Sequence, residues 1–226
     1  MERGSWSELS GDKEIWKKLA IGAVGILCVV SLPLVFGVLN TDLEAESARI
    51  KGKEPAGKFP AFEDFGTMFG RGLGPAFIFF LAMMAFCLPT VVILMSAFQT
   101  FAWLKSENSI NIISFCLTGI FGLAAVAGQF VMALIFPIAL AQYARGLNIK
   151  QALDPLANMG TVMEMGAPYW TKAWGYWAFL AGNIVIWIAD VNFFADLALR
   201  IVVTMLGFAS LIVSSRYALN QLQTKL

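Results

Sequence analysis

Two long stretches of the sequence, residues 74–104 and 108–144, contain no charged side chain. A helix that crosses the ~30 Å hydrocarbon core of a bilayer needs about 20 consecutive apolar residues, and each stretch exceeds that length. The whole chain is 58% hydrophobic and only 14% charged, which is too apolar for a soluble domain of 226 residues. The sequence therefore predicts an all-α integral membrane protein.

The positions of the charges divide the chain into one polytopic membrane domain, residues 19–222, between a short polar N-terminus, residues 1–18, and a tail, residues 223–226. Five apolar segments are predicted within the domain, at about residues 19–39, 74–104, 109–142, 170–189 and 197–217. The last four are predicted transmembrane helices. Glycine, serine and proline interrupt the first segment, which predicts either a kinked span or a re-entrant hairpin.

The distribution of basic residues predicts the orientation. If the first segment is re-entrant, 14 of the 16 lysines and arginines lie on one side of the membrane, and the positive-inside rule makes that side cytoplasmic. If it spans, only the N-terminus changes side. The chain is thus predicted to be a multi-pass protein of the cytoplasmic (inner) membrane with a cytoplasmic C-terminus. Short amphipathic interfacial helices are predicted in the cytoplasmic loops 40–73 and 145–172.

Three sequence stretches carry a resemblance to a known family. They are FPAFEDFGTMFGRGL at residues 59–73, PIALAQYAR at residues 137–145 and RYALNQ at residues 216–221. Together they resemble the motifs of a bacterial and archaeal family of polytopic membrane proteins, domain of unknown function 4013, over about residues 15–222. The resemblance implies the same helical membrane architecture and implies no catalytic residue.

Composition excludes several kinds of chemistry. The chain has no histidine, and it therefore lacks the residue that is the commonest haem ligand, the commonest general base and a frequent zinc ligand. Its three cysteines lie far apart in apolar runs, where they are interpreted as small buried side chains. The net charge of +1 offers no field for nucleic acid. We therefore predict no metal, no cofactor and no catalytic residue, while bound lipids are expected and contact with a pigment or quinone stays open.

A few residues are candidates for a ligand site inside the predicted spans. They are Gln129, Asn183, Trp170, Trp174 and Trp177. The two amides sit near the middle of their segments, where an amide needs a hydrogen-bond partner. They are interpreted either as hydrogen-bonding groups that join two helices or as polar groups that contact a ligand. The three tryptophans share one helical face, which is typical of an interfacial belt or of a pigment, quinone or partner surface.

The first long loop is predicted to dock a partner through a short motif. Its residues are Pro60, Phe62, Glu63, Asp64 and Phe65. Other acidic residues of the loop, among them Asp42 and Glu46, are interpreted as a solvated surface because charges of both signs alternate there. The glycines Gly70, Gly72 and Gly74 match no phosphate-binding pattern and are interpreted as a flexible connection into the second segment.

These observations favour a non-catalytic accessory or scaffold subunit of a larger membrane complex, for example a bioenergetic one. Its partners would be the lipid bilayer and other membrane subunits or further copies of the chain. The alternative is a small homo-oligomeric transporter, channel or lipid-handling protein. The uncharged runs argue against ion transport, because ion pathways usually keep a charged residue. A membrane enzyme is the weakest hypothesis, since acid–base chemistry needs a positioned titratable group.

Overall fold

The computed structural model describes residues 5–28, 31–52, 57–62, 64–81, 84, 120, 127–128, 131, 134–189 and 193–224. The chain divides into two compact units, Met1–Ile78 with Leu134–Leu226, and Phe79–Ala133. The contacts discussed below lie within the first unit. Candidate residue Gln129 lies outside the described residues.

Every regular element in the described ranges is a helix, and no strand occurs there, which confirms the predicted all-α class. The helices are α1 (Trp6–Ser10), α2 (Ile15–Leu27), α3 (Leu32–Gly52), α4 (Phe65–Leu81), α5 (Leu134–Ala144), α6 (Ile149–Ala152), α7 (Pro155–Ala189) and α8 (Phe193–Thr224). Within these ranges α8 is the helix whose length and apolar character suffice to cross a membrane, from Phe194 to Thr224.

The first apolar segment is broken between α2 and α3. The hydroxyl of Ser31 donates to the carbonyl oxygen of Gly25 at 2.7 Å, which closes the end of α2. Two contacts with α8 show that the chain then folds back. Gly22 packs against Phe208, and Asp42 pairs with Arg216. If the segment were one straight helix, the twenty residues from Gly22 to Asp42 would rise by ~30 Å. The eight residues from Phe208 to Arg216 on α8 rise by only ~12 Å, so the segment is not straight.

Helix α7 begins at a well-capped turn and contains one sharp kink. Asp154 accepts hydrogen bonds from the backbone N–H groups of Leu156 and Ala157 at 3.0 and 3.1 Å, as an N-cap does. Gly166 has φ 60° and ψ −151°, outside the helical region, and Pro168 follows within the first turn of the second part. The kink therefore separates a first helical part in the predicted interfacial loop from the predicted span that follows.

The loop before the second apolar segment departs from the prediction of a separate short helix. Helix α4 runs without a break from Phe65 through Pro75 to Leu81. No glycine there adopts a positive φ comparable to that of Gly166 in α7. The first loop and the second apolar segment thus share one continuous helix as far as Leu81.

Helices α7 and α8 pack closely along their length through small residues. A Cβ at Gly175 would lie 2.7 Å from the carbonyl oxygen of Leu206, and one at Gly182 would lie 2.8 Å from the side chain of Val203. The hydroxyl of Ser210 also donates to the carbonyl oxygen of Lys172 at 2.8 Å. Small side chains and hydroxyl-to-backbone bonds are the usual means by which apolar helices associate.

Candidate functional site

A buried ion pair joins α3 to the last turns of α8. Arg216 Nε donates to Asp42 Oδ2 at 2.8 Å, and Arg216 Nη2 donates to Asp42 Oδ1. The side chains of Arg216 and Asp42 are 3% and 1% exposed. A forked pair of this kind is geometrically specific, and each charge is costly to bury without the other. The pair therefore fixes α3 against α8 across 174 positions of sequence.

The polar contacts continue beyond that pair. Glu46, one helical turn after Asp42, is fully buried and accepts a hydrogen bond from the backbone N–H of Gly57 at 3.2 Å. Gln223 Nε2 donates to the hydroxyl of Ser47 at 2.5 Å. The prediction that Asp42 and Glu46 belong to a solvated loop is therefore wrong. They lie on the buried face of α3, and a charge-rich composition does not reveal which face of a helix is covered.

Glycines bring α3 and α4 into backbone contact. A Cβ at Gly72 would overlap the carbonyl oxygen of Pro33, and a Cβ at Gly37 would overlap that of Met68. Gly74 similarly faces the hydroxyl of Tyr143. The interpretation of Gly72 and Gly74 as a flexible connection is wrong, because both lie within a continuous helix and make room for close neighbours.

Among the described residues, the opposite side of α4 is exposed. Phe65, Phe69, Leu73 and Phe77 recur every four residues and are 43–61% exposed. Gly66 and Gly70 lie beside them on the same helix, and a Cβ at Gly70 would meet nothing within 4 Å. These six residues are called the α4 face below.

The docking motif predicted from the sequence lies at the start of the α4 face. Phe65 is 61% exposed and belongs to that face, while Pro60 and Phe62 are half-buried. Asp64 is exposed with φ 35°, and its carboxylate accepts from the backbone N–H of Thr67 at 3.4 Å, so it caps α4. Glu63 lies outside the described residues.

A second buried contact ties the N-terminal region to the segment before the docking motif. Lys18 Nζ donates to Asp12 Oδ2 at 2.7 Å and to the carbonyl oxygen of Phe59 at 2.6 Å. Burial alone would raise the pKa of the Asp12 carboxyl. The hydrogen bonds from Lys18 and from the backbone N–H of Glu14, with the charges of Lys18 and Lys58, nevertheless hold that pKa below its ordinary value of 3.8.

This contact predicts a pH-dependent contribution to stability. Because the pKa of Asp12 is lower in the folded than in the unfolded chain, the contribution is complete above pH 3.8 and is lost as the pH falls through the lower folded pKa. Asp12→Asn should lower the free energy of unfolding by roughly 1 kcal/mol at pH 7, and the difference from wild type should shrink below pH 3.8. Unfolding in detergent between pH 3 and 7 measures this, with exposed Glu14→Gln as the control; a constant difference would contradict it.

An apolar pocket of about 380 Å³ lies among α1, α2, α7 and α8. It is lined by Trp6, Leu9, Ser10, Ile15, Trp16, Leu19, Trp174, Val202, Met205, Leu206 and Ala209. The rings of Trp6 and Trp174 are 5.7 Å apart between centroids and tilted by 48°. Trp6 Nε1 is buried and has no hydrogen-bond partner among the described residues. These eleven residues are called the tryptophan pocket below.

The candidate ligand residues fall into separate groups. Trp174 lines the tryptophan pocket, whereas Trp170 is 42% exposed and lies outside the pocket wall. The side chains of Trp177 and Asn183 and the whole of Gln129 lie outside the described residues. Sequence reasoning missed Trp6, whose ring lies beside that of Trp174, and Trp16, which lines the same pocket, although a tryptophan in each of two short N-terminal helices was the available signal.

In the part of the chain that the structure describes, no group of three histidine, cysteine or acidic residues is placed to hold a metal ion. The buried carboxylates and the buried arginine are engaged with protein groups. The α4 face and the tryptophan pocket are among the exposed apolar surfaces of the described residues.

Comparison with known families gives one match. Residues 20–193 match the family model described as "Protein of unknown function (DUF4013)". No curated protein and no solved structure matches the chain. The matched region reaches the first residue of α8, so the RYALNQ motif at residues 216–221 lies beyond it.

Proposed function

Because the chain belongs to the DUF4013 family, whose function is unknown, we propose its function from the geometry: it is a non-catalytic accessory subunit of a larger membrane complex. The observation that carries the proposal is the α4 face, which is exposed among the described residues and combines large aromatic side chains with two open glycines. The partner is another membrane subunit that presents a helix to this face.

The proposed topology is multi-pass. Four transmembrane helices cross the inner membrane, and α2 with the start of α3 forms a re-entrant hairpin. With 13 residues, α2 is ~20 Å long, shorter than the hydrocarbon core. The fold-back of α3 onto α8 supports the hairpin, and the basic residues support a cytoplasmic C-terminus.

The two open glycines distinguish the α4 face from a surface that only contacts lipid. Glycine inside a helix is less favourable than alanine by up to about 1 kcal/mol. Neither Gly66 nor Gly70 has a positive φ, and a Cβ at Gly66 would meet only a side-chain oxygen of Asp64, at 4.0 Å. The two glycines are four residues apart, and the space beside each is not filled by other described residues of the chain. Small residues at this spacing let a second membrane helix approach closely.

Filling one of these positions tests the proposal. Gly70→Leu places a bulky side chain on the α4 face and should lower recovery of the partner at least tenfold in affinity purification from native membranes in a mild detergent. The matched control is Gly160→Leu in α7, where the added side chain also meets open space. Both variants should fold like wild type, since leucine is the better helix former.

Two results would count against the proposal. Equal recovery of the partner with Gly70→Leu and Gly160→Leu would exclude the α4 face as the docking surface. A wild-type chain that retains no second protein under these conditions would exclude the accessory role itself.

The tryptophan pocket favours a second candidate function, a lipid-handling membrane protein. A pocket of about 380 Å³ falls within the range of small-molecule sites, and its wall is almost wholly apolar. A colourless homo-oligomer that retains lipid and no partner would favour this candidate over the accessory role.

A further inference from the structure

We propose that the first part of α7, residues 155–165, lies in the cytoplasmic interface of the bilayer and inserts Leu156 and Met163 between the lipids by apolar contact alone. The sequence predicts an interfacial helix somewhere within residues 145–172, whereas the structure narrows the bounds of that helix and shows which of its sides is exposed. The inference rests on the membrane topology within the proposed function and does not depend on docking at the α4 face. Three features carry it: the depth of the kink, the division of the helix surface and the lack of basic residues.

The kink at Gly166 lies close to the proposed cytoplasmic end of the uncharged part of α8. Residues 201–215 of α8 contain no charged side chain, and Arg216 follows them. Tyr217, next to Arg216, stacks on Tyr169 of α7 with 6.5 Å between the ring centroids. Tyrosines and the first basic residues of a span mark the boundary between hydrocarbon and water. Gly166 lies within one helical turn of Tyr169, which places it at the depth of the lipid headgroups.

The surface of residues 155–165 is divided into three sides. At about 100° per residue, each side takes up roughly a third of the helix. The buried side carries Asn158, Val162 and Met165. The apolar exposed side carries Leu156 and Met163, which are 84% and 73% exposed. The remaining side carries Ala157, Thr161 and Glu164. A helix that packs on a bundle at headgroup depth meets protein, lipid and water on different sides, so the apolar exposed side is the one that meets lipid.

The charge of this helix determines how it is held in the membrane. Residues 155–165 contain no lysine or arginine, and Glu164 is their one charged side chain. Basic residues attract many interfacial helices to anionic lipids, and that attraction is missing here. The insertion of Leu156 and Met163 therefore depends on the transfer of apolar surface from water to hydrocarbon. It requires no anionic lipid and is not weakened by salt.

Gly166 sets the direction of the inserted helix. Its φ of 60° and ψ of −151° belong to a region that essentially only glycine adopts. A Cβ at Gly166 would meet nothing within 4 Å, so the backbone conformation, and not crowding, requires glycine. Beyond the kink, the buried hydroxyl of Tyr169 donates to the carbonyl oxygen of Leu134. The span is thus fixed on one side of Gly166, while the first part of α7 leaves the axis of the span at that residue.

Spin labelling of the full-length chain in lipid nanodiscs tests the proposal. Single cysteines are introduced into a chain whose three native cysteines are replaced by serine. Collisions of the label with oxygen, which concentrates in hydrocarbon, are compared with collisions with a water-soluble nickel complex. Labels at Leu156→Cys and Met163→Cys should favour oxygen, and the label at the neighbouring Ala157→Cys should favour nickel. The result should be the same in pure phosphatidylcholine and with added phosphatidylglycerol, and at low and high salt.

Two controls accompany these labels. A label at Val202→Cys, on a 55% exposed position of α8, is the reference for a site inside the bilayer and should favour oxygen. Gly166→Ala should shift the label at Met163→Cys towards nickel, because alanine does not keep the backbone conformation of the kink. Gly160→Ala is the matched control, since a Cβ there also meets nothing within 4 Å, and it should leave the Met163 label unchanged.

Several results would overturn the proposal. If the labels at Leu156 and Met163 favour nickel while the label at Val202 favours oxygen, the first part of α7 lies in water and the proposed topology stands. Labels that neither reagent reaches would show that a protein covers this side of the helix. A preference for oxygen that appears only with phosphatidylglycerol would make the insertion electrostatic. If the label at Val202 also favours nickel, the proposed span α8 fails together with the inference.

Discussion

Replacing Gly72 by alanine is expected to lower the free energy of unfolding by about 3 kcal/mol, or to prevent folding, because the added methyl group would overlap the carbonyl oxygen of Pro33. The opposing atom is backbone, so it cannot rotate away, and the methyl can be accommodated only if α3 and α4 move apart. The backbone nitrogen of Gly37 also lies close to this position, so the methyl group cannot be accommodated by a shift towards Gly37. Unfolding by SDS in mixed micelles, followed by circular dichroism, measures the loss.

Gly70→Ala is the matched control for this prediction. It adds the same methyl group to the same helix two residues earlier, where nothing lies within 4 Å. The free energy of unfolding should stay unchanged or rise by up to about 1 kcal/mol, since alanine is the better helix former. Equal stability of Gly72→Ala and Gly70→Ala would show that α3 and α4 do not cross as closely as described.

Replacing Arg216 by methionine is the second change with a large expected effect. It leaves the carboxylate of Asp42 buried without its arginine, and such losses cost about 3–5 kcal/mol. Combining it with Asp42→Leu removes both charges, and the double variant should recover most of that loss, because the desolvation penalty then disappears as well. The same SDS titration compares the single and double variants.

Arg71→Met provides the control for the ion pair. Arg71 faces Glu44 at 3.5 Å, and both side chains are nearly half exposed, so its loss should cost less than about 1 kcal/mol. If Arg216→Met cost no more than Arg71→Met, the Asp42–Arg216 pair would be solvated and α3 would not be fixed to α8 in this way.

The sequence predicts the helical class because long uncharged runs and a high apolar content leave few alternatives. It also places the interruption of the first apolar segment, since glycine, serine and proline concentrate there. The fold-back is harder to anticipate, because it depends on contacts with α8, more than 170 residues away, as in the pairing of Asp42 with Arg216.

At the α4 face and the tryptophan pocket, the sequence pattern does not show which residues are exposed or which residues meet. Within the predicted docking motif Phe65 is exposed, whereas Asp64 caps α4, a role that needs the helix to begin there. A list of glycines cannot show that Gly72 meets backbone while Gly70 meets nothing. The tryptophan pocket depends on helices from both ends of the chain, so periodicity within one helix relates Trp174 to Trp170 and Trp177 and cannot supply Trp6.

The accessory role is tested most directly by native mass spectrometry of the wild-type chain purified in a mild detergent from its native membranes. We predict one stoichiometric assembly that contains this chain and a different, larger membrane protein. A homo-oligomer of this chain alone, with or without lipid, would contradict the accessory role and leave the lipid-handling function as the better account.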